Sequence, residues 1–161
     1  MDAKASGNVL VLVGETKSQM GGSHVLLIDP TAKCNNELPS VSLTDGPRNA
    51  KLVHEVIQAG LVTSAHDCSE GGVLLAAAEM AFGGGLGLDL QLENESLCFS
   101  ETPSRYLLEV HPDKLEQIQQ HFVDIPCEII GTFNESANVT LGTATWNIRD
   151  LFQVWMHGMV I

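Results

Sequence analysis

The stretch Ser64-Ala65-His66-Asp67-Cys68-Ser69-Glu70-Gly71-Gly72 sets an imidazole, carboxylates, hydroxyls and a thiol against a glycine pair. Glycines let a backbone approach a ligand closely. The free N–H groups at a helix start attract anions such as phosphate. Asp67 and Glu70 are hard oxygen donors of the kind Mg²⁺ takes. The same residues also have a plain structural reading. Asp67 or Ser69 caps the following helix, and the glycines let that helix pack tightly on a strand. A nucleophilic role for Cys68 would require a depressed thiol pKa, and nothing in the sequence supplies one.

Two further stretches carry chemistry. Gly14-Glu15-Thr16-Lys17-Ser18-Gln19-Met20-Gly21-Gly22-Ser23 is a polar, glycine-bearing loop. It has the composition of a phosphate cradle without the Walker spacing. Thr16, Lys17 and Ser23 are the groups in it that suit an anion, Lys17 as a point charge; the alternative is an ordinary surface loop. Leu97-Cys98-Phe99-Ser100-Glu101-Thr102-Pro103-Ser104-Arg105 is the third stretch, polar and directly followed by an apolar run.

The elements that must position these loops follow from periodicity. Asn8–Val13 is a continuous β-branched run and predicts a buried strand. His24–Ile28 fits strand or helix. Asp29–Pro47 is broken by prolines and Gly46 and reads as irregular. Leu52, Val53, Val56 and Ile57 make one stripe, so a helix is expected over Asn49–Ala59, stopped by Gly60. Next come a strand over Leu61–Ala65, the first stretch, and a helix over Val73–Phe82 ended by Gly83-Gly84-Gly85. Leu86–Leu92 alternates and predicts a half-buried strand, followed by an acidic turn over 93–96. Tyr106–Val110 is a strand. Pro112 opens a helix whose face carries Leu115, Ile118 and Phe122. Glu128–Thr132 and Asn138–Leu141 are strands, and Trp146-Asn147-Ile148 leads into a helix over Arg149–Met156. This order predicts an α/β (α+β) fold, a layered α/β/α sandwich on a mixed sheet.

Composition bounds the function. A chain of 161 residues is one domain by the usual prior. At that size it buries roughly 70% of its unfolded surface and needs no disulfide or metal for its core. Residues 8–161 are expected to form the domain, and residues 1–7 a disordered or appended lead. The net charge of −12 excludes a nonspecific hold on nucleic acid or an anionic membrane. No apolar run is long enough to span a bilayer, and the first six residues lack a signal-peptide core. Cys34, Cys68, Cys98 and Cys127 match no zinc pattern and read as reduced, mostly buried thiols of a cytoplasmic protein.

Taken together, Ser64–Gly72, Ala78-Glu79-Met80-Ala81-Phe82-Gly83-Gly84-Gly85-Leu86-Gly87 and Phe99-Ser100-Glu101 with Arg105 resemble one family. It is phosphoribosylformylglycinamidine synthase, in its large synthetase subunit. Leu12–Thr16, Gly21-Gly22-Ser23 and the closing Asp150-Leu151-Phe152 with Trp155 resemble it too. The match is to the second, carboxy-terminal copy of the AIR synthase-related C-terminal domain. Cys68 and Glu70 depart from the family pattern, which more often has an apolar residue and Asp there. The resemblance implies a fold of partial ferredoxin-like topology. It implies a subunit that uses ATP, Mg²⁺ and glutamine-derived ammonia to convert formylglycinamide ribonucleotide to its amidine. The partners it implies are the remaining domains of the subunit and a glutaminase. By the same resemblance, Ser100, Glu101, Thr102 and Arg105 face the substrate. Thr16, Gly21, Gly22, Ser23, His66, Gly71 and Gly72 face phosphate or nucleotide, and Asp67 faces Mg²⁺. It leaves open whether this copy is the catalytic or the structural half-site, and implies that the domain alone is inactive. Other ATP-using members of the superfamily, such as aminoimidazole ribonucleotide synthetase or selenophosphate synthetase, and a ligand-free interaction domain remain the alternatives.

Overall fold

The computed structural model describes residues 1–32, 34–92 and 97–158. The acidic turn expected over 93–96 lies outside them. Seven strands form one sheet: β1 Val9–Val13, β2 Ser64–Asp67, β3 Gly87–Leu90, β4 Tyr106–Val110, β5 Cys127–Asn134, β6 Asn138–Leu141 and β7 Ala144–Asn147. The helices are α1 His24–Ile28, α2 Asp45–Gln58, α3 Gly72–Gly84, α4 Leu115–His121 and α5 Ile148–His157.

The sheet order is β2-β4-β1-β5-β3-β6-β7. Every neighbouring pair is antiparallel except β3 with β6, so the sheet is mixed, as expected. β4 lies between β1 and β2, and β1 lies between β4 and β5. With α2 connecting β1 to β2 and α4 connecting β4 to β5, these four strands interleave two split β-α-β units in ferredoxin-like fashion. The other three strands extend the sheet.

Strand periodicity builds the two faces, because successive side chains point to opposite sides. Leu10, Leu12 and Leu107 join Leu88, Phe133, Val139 and the buried face of α3 in one cluster. Val11, Val13, Leu108 and Val110 join Val53, Val56, Ile118 and Phe122 from α2 and α4 in the other. The sheet is therefore covered on both sides, which is why β1 reads as an unbroken apolar run. On the first face α5 packs on α3 through Phe82, whose ring centroid lies 5.7 Å from Phe152 and 5.8 Å from Trp155.

Several boundaries differ from the sequence expectations. The strand expected over Leu61–Ala65 is instead Ser64–Asp67. Thr63 N–H still donates to Glu109 O at 2.9 Å, but the ladder starts with Ser64 opposite Glu109. His66 and Asp67 are consequently strand residues rather than turn residues. α2 begins at Asp45, four residues early, because Pro47 falls in its first turn, where a missing N–H costs nothing. Gly83 and Gly84 continue α3, and the stop is Gly85 at φ 68°. β7 was not expected. It pairs Ala144–Asn147 back onto β6 and delivers Asn147, whose side chain accepts from Arg149 N–H to cap α5.

The lead over residues 1–7 is not disordered. Ala3 is buried and its N–H donates to Met80 O at 2.9 Å. The anchor is Glu109, fully buried on β4. Its carboxylate accepts from Lys4 N–H at 2.9 Å, Ala5 N–H at 3.0 Å, Asn8 Nδ2 at 2.8 Å and Ser64 Oγ at 2.9 Å. A buried carboxylate is costly unless its lone pairs are filled, and here donors from three segments fill them. Glu109→Gln keeps one acceptor oxygen and sets an NH₂ against backbone donors. Its urea unfolding midpoint should fall by the equivalent of about 2 kcal/mol; an unchanged midpoint would remove Glu109 as the anchor.

Candidate functional site

The register brings the three polar stretches to one edge of the sheet. Val13 and Asp67 both pair with Tyr106, one from each side. The carboxyl ends of β1 and β2 therefore lie side by side, with the loop before β4 between them. In α/β sheets that is where ligands sit.

Arg105, immediately before β4, ties the loops from within. It is 1% exposed. Its Nε donates to Thr102 O at 2.9 Å, its Nη1 to Thr16 Oγ1 at 3.0 Å and its Nη2 to Ser100 O. Burial pulls its pKa below the ordinary arginine value. Ser100 and Thr102, also buried, clamp the first loop: Ser100 Oγ donates to Lys17 O at 2.7 Å and Thr102 Oγ1 accepts from Lys17 N–H at 3.0 Å. Cys68 N–H donates to Arg105 O at 3.0 Å, which joins the Ser64–Gly72 stretch to the same residue.

Glu101 completes the junction. One carboxylate oxygen, Oε1, accepts from Gly71 N–H at 2.9 Å, His24 N–H at 2.9 Å and His24 Nδ1 at 3.1 Å. Burial pushes this carboxyl up, but the bonds from His24 and Gly71 outweigh it and hold the pKa below the ordinary 4.5. Gly71 is the N-cap of α3 at φ 76°, with no side-chain cap. Neither Asp67 nor Ser69 serves as one, and the carboxylate reaching across from the third stretch takes the N–H instead. Gly72, at φ 69°, lies so close to this loop that a Cβ would collide with the Ser100 carbonyl and come within 2.8 Å of the Cys98 carbonyl. That is the physical reason for a glycine there.

The sequence-selected residues thus divide. Ser100, Thr102 and Arg105 are interior residues that build the loops. Thr16 accepts from Arg105. Gly21 is buried with its N–H on Glu37 O at 2.8 Å, whereas Gly22 is exposed. Ser23 is 2% exposed, and its Oγ is buried with no hydrogen-bond partner among the described residues. Asp67 projects outward with its side chain 68% exposed.

His66 is set apart from the others. Its Nε2 lies 3.0 Å from Glu79 Oε2 on α3 and its Nδ1 lies 2.8 Å from Asp67 O, so both ring nitrogens are engaged within the fold. Glu79 in turn accepts from Trp155 Nε1 at 3.1 Å. Cys68 is buried, which pushes its thiol up to about 12 against a partial offset from Arg105. Sequence reasoning missed His24, whose run fitted strand or helix equally, and Glu79, which shares a face with His66 only in the folded chain.

Among the described residues, no cluster of three or more His, Cys, Asp or Glu side chains can hold a metal ion. Asp67 presents its carboxylate outward, 3.5 Å from His66 Nδ1. The donors of Gly71 and His24 form an anion-binding concavity, and Glu101 of the same chain fills it.

Residues 5–143 match the family model described as AIR synthase related protein, C-terminal domain. The phosphoribosylformylglycinamidine synthase subunit PurL of Alkaliphilus metalliredigens is 38% identical over 138 residues, 82% of this chain and 19% of the relative. Its counterpart in Thermus thermophilus is 33% identical over 162 residues, 96% of this chain and 22% of the relative. The chain thus spans about a fifth of the length of these curated relatives. Among solved structures, Thermotoga maritima PurL complexed with FGAR superposes with a TM-score of 0.79 at 19% identity, over 93% of this chain and 28% of that one. Escherichia coli HypE, a hydrogenase maturation protein, gives 0.61 at 17% identity, over 89% and 49%.

Two outcomes follow from the geometry. Because the folded pKa of Glu101 lies below its unfolded value, its stabilisation is full above pH 4.5 and is lost as pH falls through the lowered value. Glu101→Gln should flatten the dependence of melting temperature on pH in that acid range; an unchanged profile would contradict the assignment. At neutral pH a thiol reagent should label exposed Cys34 rapidly and spare Cys68 until unfolding. Equal labelling rates, read by mass spectrometry, would contradict the burial.

Proposed function

The chain belongs to the AIR synthase-related C-terminal domain family, and from that premise we propose that it serves as one domain of a phosphoribosylformylglycinamidine synthase large subunit. The reaction proposed for the whole enzyme is the ATP- and glutamine-dependent conversion of formylglycinamide ribonucleotide to its amidine. The relatives above, named for that synthase, align along nearly all of this chain. In the wider family, solved structures of Thermotoga maritima PurL complexed with ATP and with ADP support a nucleotide as the ligand. The partners are the other domains of the subunit and a glutaminase, and the compartment is the cytoplasm.

Within that enzyme this domain contributes one wall of a cleft. The single observation that carries the reading is the convergence of the Gly14–Ser23, Asp67–Gly72 and Ser100–Arg105 loops at one sheet edge through Glu101 and Arg105. The groups presented outward are the exposed backbone of Gly22 and the Asp67 carboxylate. Asp67 fits Mg²⁺ as a lone protein ligand, the remaining positions being phosphate oxygens and water. When bound, that ion neutralises charge on a phosphoryl group in transfer. The residues of this chain orient phosphate and exclude water. His66 is engaged with Glu79 and Asp67 O, and the Cys68 thiol stays protonated. Synthetase chemistry then belongs to the assembled subunit.

The isolated chain should form no amidine from formylglycinamide ribonucleotide, ATP and ammonia; measurable turnover would overturn the division of labour. In the intact subunit, Asp67→Asn should lower kcat/KM by about tenfold or more with the melting temperature unchanged. A fall in melting temperature with kcat/KM intact would assign Asp67 a structural role and favour the reading of this domain as scaffold.

A further inference from the structure

On the face of the sheet that carries α3, a cavity of about 350 Å³ opens between α3 and α5. That volume falls in the range of small-molecule sites. Its floor is apolar, built from Leu74 and Val139 of the core cluster on that face. Its walls are aromatic, lined by Phe82, Phe99 and both tryptophans of the chain, Trp146 and Trp155. Among the described residues one charged group lines it, Glu79 on α3, whose side chain is 23% exposed.

Glu79 decides what the cavity takes. Its Oε1 accepts from Trp155 Nε1 at 3.1 Å, and its Oε2 lies 3.0 Å from His66 Nε2. A carboxylate oxygen accepts two hydrogen bonds, so each keeps an acceptor position. A wholly apolar occupant would cover those positions unfilled, which is costly, and an anion would be repelled. A cation meets the carboxylate, and the surrounding ring faces attract an ammonium group through their quadrupoles. His66 engages Glu79 from β2 and does not line the cavity, and among the described residues no lysine or arginine lines it either. The net charge of −12 draws cations to the molecule as a whole. We propose that this cavity binds a small organic ammonium ion with an apolar body, its charge on Glu79 and its body among Phe99, Trp146 and Trp155. This inference is independent of the function proposed above.

The test is an NMR titration of the chain with benzylamine at neutral pH, read at the indole N–H signals of Trp146 and Trp155 and the methyls of Leu74 and Val139. Benzyl alcohol is the neutral probe of the same size. Benzylamine should move these signals together with a dissociation constant of about 1 mM. Benzyl alcohol should bind about tenfold more weakly, and Glu79→Gln should erase that difference. Because Glu79→Gln also disturbs the bond to Trp155, Val154→Lys is the second variant. Val154 lines the cavity at 67% exposure. A lysine there should weaken benzylamine about fivefold and leave benzyl alcohol unchanged. No shift at about 10 mM benzylamine, equal affinity for the two probes, or indifference of benzylamine to Val154→Lys would each overturn the proposal. Movement of the same signals on dilution of the chain alone would make a second copy the occupant. Loss of benzylamine binding in the intact subunit would give the cavity to a neighbouring domain. Either result overturns the proposal as well.

Discussion

A buried guanidinium is the constraint on which this domain depends. Arg105 leaves water with no acidic partner among the described residues, so its charge must be met by hydrogen bonds alone. The acceptors are two carbonyls of its own loop and the hydroxyl of Thr16. Satisfying them curls residues 100–105 into a tight turn and draws the end of β1 onto it. That turn presents Glu101 to Gly71 and His24. Arg105 therefore acts through geometry, and the site is a consequence of solvating one cation inside a protein.

β4 carries the opposite problem at its other end. Glu109 is an anion sealed in the sheet and solvated by the amides of residues 4 and 5, by Asn8 and by Ser64. One strand thus fixes the polar loops through a cation and the chain's start through an anion. Both devices cost desolvation, and both specify a single arrangement of segments far apart in sequence. The apolar clusters on the two faces supply the bulk of the stability but would tolerate many loop arrangements. These two polar centres select one.

The residues explain what was legible in the sequence. β1 and β4 could be read because strands buried on both faces are continuous apolar runs. α3 could be read from its length, and the three loops from their glycines and hydroxyls. The start of β2 could not, because Leu61 and Val62 are apolar for packing while the ladder begins only where Glu109 provides a partner. β7 is a short hairpin strand paired with β6 at the end of the sheet, so local pattern gives no signal for it. In the site, Ser100, Glu101, Thr102 and Arg105 were expected to face a substrate; they do share one turn, but Ser100, Thr102 and Arg105 are buried, which local pattern could not tell. His66 was singled out through the resemblance; its engagement with Glu79 and, through it, Trp155 on α5 exists only after α3 and α5 pack. Glu109 was passed over because a carboxylate in a strand ordinarily faces water.

The central claim is that Glu101 and Arg105 make three loops one unit. Residue-resolved amide hydrogen exchange on the native chain and on Glu101→Gln measures it most directly. If the claim holds, Gly71 and His24 lose protection together in the variant, and Lys17, held by Thr102 and Ser100, loses part of its protection with them. If Gly71 and His24 exchange as in the native chain, or change independently of each other, the loops are separate structures and the site described here does not exist as a unit.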